Sequence, residues 1–463
     1  MKTITTPIIP TKQTFYKVDA LHELDLKAIC VFTAIGFFLD QDTYYQDTKV
    51  LRPATEYTLD SSNKVLNSKP YFNWHYRPRD ISFEKALEEF SRLFENIIKD
   101  QTTGKKVILP LSGGLDSRTQ AAALKTLQAD VSTYSYEFKG GYPETKVAKE
   151  VAKACDFKFQ DYKINRGYLW NVIEDLTELN RCYSDFTSPR QMAICNNFNE
   201  MGDVFSLGHW GDVLFDSMNL SDLSHDQQVE VLISRLLKRG GLEFASLLWE
   251  EWELEGHFKD YFRSRISELL NTIDIDNSNA RLRAFKSKYW APRWTSVNLS
   301  IFSKYKPITL PYYDDRMCQF ICTIPESFLK GRQLQIAYIK KRMPELAKME
   351  WQDQRPFNLY NYHLNKKPYN LPYRIINKLK REIKALTGKP YVQRNWELQF
   401  LGKANERFLK KYILESGLEN WVSQSLLKTH LNEFIQGDSL RYAHSINMLL
   451  VLAKFNQQNS TIG

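Results

Sequence analysis

The chain has 463 residues, 43% of them hydrophobic and 25% charged, a globular composition whose length suggests two or three cores rather than one. Its apolar runs, such as 29–39 and 448–452, fall short of the roughly 20 residues that a bilayer span needs, and the N-terminus lacks the apolar stretch of a secretory signal, so a cytoplasmic location is expected. The net charge of +9 is concentrated: residues 366–411 hold 13 Lys and Arg against three Glu, the remainder is close to neutral, and no nucleic-acid partner is expected.

In chain order, residues 1–80 carry short β-like runs, among them 28–38 and 56–59, with the turn-formers Asp60-Ser61-Ser62-Asn63. This predicts a small β-rich domain. Phe83, Leu87, Phe90, Phe94 and Ile97 recur at helical spacing, so 82–99 should be an amphipathic helix that opens a second domain, spanning 81–360. Within it, 106–111, 131–138, 158–164 and 204–207 read as four parallel strands. Helices alternate with them at 116–127 and after Pro143, where Glu144 complements the positive helix end. From about 225 the pattern is mostly helical, and 361–463 forms a basic helical extension. Six cysteines are scattered without a C-x-x-C pair and read as buried, reduced thiols, with Cys318 and Cys322 packed in the core.

The string Val107-Ile108-Leu109-Pro110-Leu111-Ser112-Gly113-Gly114-Leu115-Asp116-Ser117 runs from a buried strand through a glycine turn into a helix. Adjacent glycines let backbone N–H groups face a phosphate, and the helix N-terminus adds partial positive charge. Ser112 and Ser117 add hydroxyl donors. Asp116 would repel a phosphate directly, so its sensible role is to hold a Mg²⁺ ion that bridges phosphate oxygens. The Gly-Lys-Ser/Thr ending of a Walker loop is absent. The loop is therefore expected to grip the pyrophosphate of ATP while AMP is transferred.

This string resembles the pyrophosphate loop of the asparagine synthetase family. The stretch from Tyr142 to Ala152 resembles the family's helix after the second strand, Gly208-His209-Trp210-Gly211-Asp212-Val213-Leu214-Phe215 resembles its G-E-G-A-D-E-L-F segment, and Leu310-Pro311-Tyr312-Tyr313-Asp314 resembles its P-F-L-D. The resemblance implies a parallel-sheet α/β ATP-pyrophosphatase fold, ATP and Mg²⁺ as cofactors, and activation of a carboxylate as its acyl-adenylate before attack by ammonia or an amine. It implies a nucleotide site of Leu111, Ser112, Gly113, Gly114, Leu115, Asp116, Ser117, Gly208 and Asp212, with Asp116 and Asp212 as metal ligands. Asp212 as a helix cap is the bland alternative.

The departures are informative. His209 stands where the family has its first Glu; it is either a general base for the attacking amine or a loop histidine bound to backbone. Val213 replaces the last acid. Aligning 351–357 with the family's downstream lysine puts Gln354 at that position, with Arg355 beside it as a charge stabiliser or as a plain surface residue. Glutamine-dependent members carry a catalytic Cys after the initiator Met, whereas here Lys2 follows it and Cys30 lies in an apolar run expected to be a strand. Residues 42–58 resemble the segment that closes the family's amidotransferase domain, so a truncated domain without glutaminase activity is expected.

Residues 374–386 place Ile375, Leu379, Ile383 and Leu386 on one helical face against Lys378, Lys380, Arg381 and Lys384. The commoner arrangement packs such a face on the body of the protein; contact with an anionic surface is the other. The function expected is an ATP-dependent carbon-nitrogen ligase acting on aspartate or on another small-molecule, peptide or sugar carboxylate. A degenerate nucleotide-binding pseudo-enzyme is the alternative. The sequence does not set the oligomeric state.

Overall fold

The computed structural model describes residues 1–18, 22–141, 145–387 and 396–460. Its first part is β-rich as expected. Strands β1 (Lys2–Thr5), β4 (Thr55–Leu59) and β5 (Val65–Pro70) form an antiparallel sheet in the order β1-β4-β5, and β2 (Phe15–Lys17) pairs with β3 (Thr48–Val50). The β4–β5 turn is held by Asp60, whose Oδ1 accepts from the N–H groups of Ser62 and Lys64 at 2.8 and 2.9 Å.

The run expected as a strand at 28–38 is instead the helix Leu26–Ile35. Asp25 caps it by accepting from Ala28 N, and Gly36, at φ +84°, closes it by donating to the Phe32 carbonyl. Every side chain from Ala28 to Ile35 is buried, so the sequence carries no polar stripe to betray the helical period. The helix packs against Gly241–Glu251, where a Cβ on Gly241 would collide with the Ala34 carbonyl, and against Ser439–Ser460, where His444 Nε2 lies 2.8 Å from the Thr33 carbonyl. Cys30 therefore sits inside a helix, and burial pushes its thiol far above the ordinary range. All six cysteines are buried.

The His444 contact has a pH signature. Burial, and then Lys238, push its imidazole down to about 4, while the Thr33 carbonyl and Asp185 pull the other way. The unfolded chain accepts a proton near pH 6.5 that the folded site refuses, so stability is lost as pH falls from about 6.5 towards 4. Urea midpoints of wild type and His444→Gln, taken at about pH 7.5 and about pH 5, should show the larger acid-induced drop in wild type. Equal drops would remove His444 from the account.

The second sheet is parallel throughout. Strands β6 (Val107–Pro110), β7 (Val131–Phe138), β8 (Lys158–Ile164), β9 (Val204–Ser206) and β10 (Ile308–Thr309) lie in the order β10-β9-β6-β7-β8, with Val107 opposite both Val131 and Val204. The four expected strands are present and β10, a two-residue edge strand, adds a fifth. The chain moves outward from β6 through β7 to β8, then returns to place β9 on the other flank of β6. The strand order thus reverses between β6 and β9, and a ligand crevice is expected at their carboxyl ends. The expected helices appear as Phe83–Thr102, capped by Ser82, and as Leu115–Thr126 and Thr145–Ala154. Pro143 and Glu144, which the sequence places at the start of the last of these, lie outside the described residues.

The basic helix forms as Leu371–Leu386, but the expected packing of its apolar face on the body does not occur. Ile375, Ile376, Leu379, Ile383 and Leu386 all remain exposed.

Candidate active site at the switch point

In the loop after β6 the hydroxyls and amides bond one another. Ser112 Oγ and Ser117 Oγ lie 3.0 Å apart, Ser112 N donates to Ser117 Oγ at 3.0 Å, and Gly114 N donates to Ser112 Oγ at 3.2 Å. Leu111 anchors the loop through its N–H to the Tyr134 carbonyl at 2.8 Å, and Leu115 is buried beneath it. The helix Leu115–Thr126 begins with no side-chain cap, so its first N–H groups stay available to an anion. Both expected glycine donors are already engaged, Gly114 N by Ser112 Oγ. Gly113 N donates to Gln352 Oε1 at 3.0 Å while Gln352 N returns a bond to the Gly113 carbonyl, and a Cβ at Gly113 would strike the Gln352 side chain.

The fully buried Arg118 ties this loop to the segment that follows residue 345. Its guanidinium donates to the carbonyls of Leu346, Met349, Gly113 and Glu350 at 3.2, 3.3, 3.1 and 2.7 Å. Burial lowers its pKa to about 10.

The Gly208 segment follows β9 and meets the loop. A Cβ on Gly208 would come within 3.2 Å of Asp116 Cβ, and one on Gly211 would strike the Asp116 carboxylate. Gly208, Gly211 and Asp116 are thus packed together, with Asp212 one residue on. Asp116 ion-pairs with Arg332 and accepts from Gln335 Nε2 at 3.0 Å, and its carbonyl accepts from Tyr312 OH at 3.0 Å. Burial nevertheless raises its carboxyl to about 6, with Arg332 opposing and Asp212 adding to the rise. A carboxylate still short of positive charge after pairing with an arginine, next to a second, exposed carboxylate, suits a Mg²⁺ ion. Magnesium takes one or two protein carboxylates and completes its octahedron with water and phosphate oxygens. Asp116 and Asp212 fit that requirement.

His209 is partly accessible, but its Nδ1 is buried without a hydrogen-bond partner. Its ring faces Trp294 and Phe302, with centroids 6.4 and 6.1 Å away. Burial pushes its pKa down to about 4 against the pull of Asp212, so the ring is neutral at neutral pH and a weak base. Trp210 packs edge-on to Trp290 and Trp294 at 5.5 and 5.9 Å.

Trp290 and Trp294 come from one continuous helical stretch: Ser278–Phe285, a π-helical turn Lys286–Trp290, and Ala291–Asn298. It aims Lys286, Trp290 and Trp294 at the Asp212 segment. Lys286 is lowered from its usual range chiefly by burial and then by Arg235, with Asp212 opposing, and its Nζ donates to the Met218 sulfur at 3.4 Å. No carboxylate among the described residues ion-pairs with it.

Arg355 does not turn into the site. It pairs with Glu350 at 2.6 Å, and Gln354 Oε1 accepts from Asn365 at 2.8 Å. Gln352 is the residue of this segment that touches the loop, and Arg332 is the cation that reaches Asp116. Asp314 caps the helix Asp315–Ile321 and binds Arg316. Of the residues that sequence reasoning did not single out, Arg118 lies one position beyond the motif and Lys286, Trp290 and Trp294 recur at spacings of four. Arg332, Gln335 and Gln352 carry no local signal.

A glycine turn and an uncapped helix start thus lie at the switch point of a parallel sheet in an α/β protein, with Asp116 and Asp212 beside them. The asparagine synthase family model matches residues 89–329, just over half of the chain, and covers the loop, the Gly208 segment and the Lys286–Trp294 stretch; the chain belongs to that family. Comparison with curated proteins gives no match. Among solved structures, NMN synthetase from Francisella tularensis is similar at 11% identity with a TM-score of 0.23, over 45% of this chain and 92% of that one, a likeness too distant to bear on the site.

Proposed function

We propose that the protein is an ATP- and Mg²⁺-dependent carbon-nitrogen ligase that adenylates a carboxylate and passes the acyl group to ammonia or an amine. The observation that carries this reading is the meeting of the Ser112–Ser117 hydroxyl pair, the uncapped helix start and the Asp116–Asp212 pair at one point of the sheet. A carboxylate oxygen attacks the α-phosphorus and pyrophosphate leaves; the amine nitrogen then attacks the acyl carbon and AMP leaves. Asp116 and Asp212 would hold the Mg²⁺ ion, which would supply positive charge against the phosphates. Arg332 supplies fixed positive charge beside them, the part the sequence reading gave to Arg355. His209, neutral and partly accessible, accepts a hydrogen bond from the attacking amine at Nε2, the ring nitrogen that is not buried, and orients its lone pair.

The acceptor side of the site favours a carboxylate with an apolar or aromatic body. Lys286, without an ion pair among the described residues, takes the carboxylate, and the partly exposed Trp210, Trp290 and Trp294 take the body. Cys30, buried inside a helix, offers no nucleophile for glutamine, and on this reading the nitrogen comes from free ammonia or an amine, with the β-rich first part as a structural remnant.

Exchange of labelled pyrophosphate into ATP across a panel of carboxylates tests this reading. Exchange should depend on the acid and be stronger for arylalkanoic acids than for aspartate. Lys286→Met should raise the KM for the acid about tenfold or more, and His209→Ala should spare exchange while stopping amide formation. No exchange with any acid would refute the ligase. A second reading, a nucleotide-binding protein without turnover, draws on the Arg332–Asp116 pair, which occupies the carboxylate assigned to magnesium; tight ATP binding with no exchange would favour it.

A further inference from the structure

The helix Leu371–Leu386 turns an apolar face to solvent. Ile375, Ile376, Leu379, Ile383 and Leu386 are 56%, 50%, 56%, 59% and 87% exposed, although side chains of this kind are ordinarily inside. At about 100° per residue the five fall within an arc of about 100°. Lys380 lies about 40° beyond one edge of that arc, and on the other edge Glu382, the one acid of the helix, lies about 20° beyond it with Lys378 next and Arg374 and Arg381 behind Lys378. These four cations are exposed, and none is ion-paired among the described residues. Among the helix's described side chains the partly buried ones are Tyr373 and Asn377, on the side of the helix away from the arc.

We propose that this helix docks the protein on an anionic lipid bilayer, lying in the plane of the interface. A bilayer bearing anionic headgroups takes both features at once: the arc enters the acyl boundary while the flanking lysines extend to the phosphates. A second copy of the chain pressed antiparallel on the same arc would set Lys380 against its own counterpart along one edge, whereas anionic headgroups meet every cation of the helix. An apolar protein groove would leave the flanking cations without partners. Tyr369, also exposed, sits just before the helix where an interfacial aromatic anchors well. No helix among the described residues is long and apolar enough to cross a membrane, so the contact is peripheral.

Flotation of the full chain with vesicles tests the proposal. Binding is expected to vesicles of mixed phosphatidylglycerol and phosphatidylcholine at low salt, to weaken at about 0.5 M salt, and to be absent from pure phosphatidylcholine. The variant Ile375→Ser/Leu379→Ser/Ile383→Ser should lose at least about tenfold in binding, as should Lys378→Glu/Lys380→Glu, both with the wild-type melting temperature because the changed side chains are exposed. The proposal is overturned by wild type that binds neither vesicle or binds both equally, by a serine variant that binds undiminished, or by self-association of wild type that the serine variant abolishes.

Discussion

Asp116→Asn should abolish exchange of pyrophosphate into ATP, a fall of about 10³-fold or more, and leave the melting temperature at pH 7 unchanged or slightly raised. The activity half follows from losing one of two metal carboxylates, which removes several kcal/mol of charge stabilisation from the pyrophosphate-releasing step. The stability half follows from the sign of the Asp116 shift. Its carboxyl is raised to about 6, above the unfolded value near 3.9, so its contribution is present below that unfolded value and lost as pH rises through about 6. At pH 7 the ionised side chain weakens the fold despite Arg332 and Gln335. A neutral amide relieves that cost and keeps a partner for Gln335, while Arg332 loses its counter-ion, so the net change is small. A structural aspartate would behave in the opposite way, with Asn lowering the melting temperature and sparing exchange. Calorimetry and the exchange assay on one preparation separate the two.

Arg118→Leu should destabilise the protein by about 3 kcal/mol or more and weaken ATP binding together with it. The isobutyl group fills part of the buried space, but the carbonyls of Gly113, Leu346, Met349 and Glu350 lose a shared donor. Unpaired buried acceptors cost about 1–3 kcal/mol each, partly offset because the desolvated guanidinium is itself costly. The loss of affinity comes from the loop: Gly113 is held from one side by Arg118 and from the other by Gln352, and releasing one side lets the glycine turn leave its anion-binding shape. Urea unfolding with and without ATP reads both effects. A drop in stability with unchanged ATP affinity would show that Gln352 alone holds the turn.

The α/β class and the parallel strands were legible because β7 and β8 are long and bounded by clear turns, and the loop because Ser, Asp and Ser occupy all three chemical positions of a strand-turn-helix string. The helix Leu26–Ile35 was not, since a helix buried on every side has no polar stripe and reads like a buried strand. β10 has two residues, too few for any pattern. Within the site, Asp116, Gly208 and Asp212 were found by position and are brought together at the switch point. The downstream cation was sought at Arg355 because it is the first cation of an aligned segment. The ion pair to Glu350 and the approach of Arg332 from a turn 216 residues away from Asp116 are tertiary facts. Lys286, Trp290 and Trp294 were spaced for one face, but a π-helical turn between them breaks the regular period.

The central claim is that a carboxylate oxygen attacks the α-phosphorus of ATP. It is tested most directly by supplying the accepted acid with heavy oxygen in both carboxylate positions and analysing the products by mass spectrometry. Adenylation places one heavy oxygen in AMP, with pyrophosphate unlabelled. Label in inorganic phosphate with ADP as co-product, or unlabelled AMP, would contradict the account.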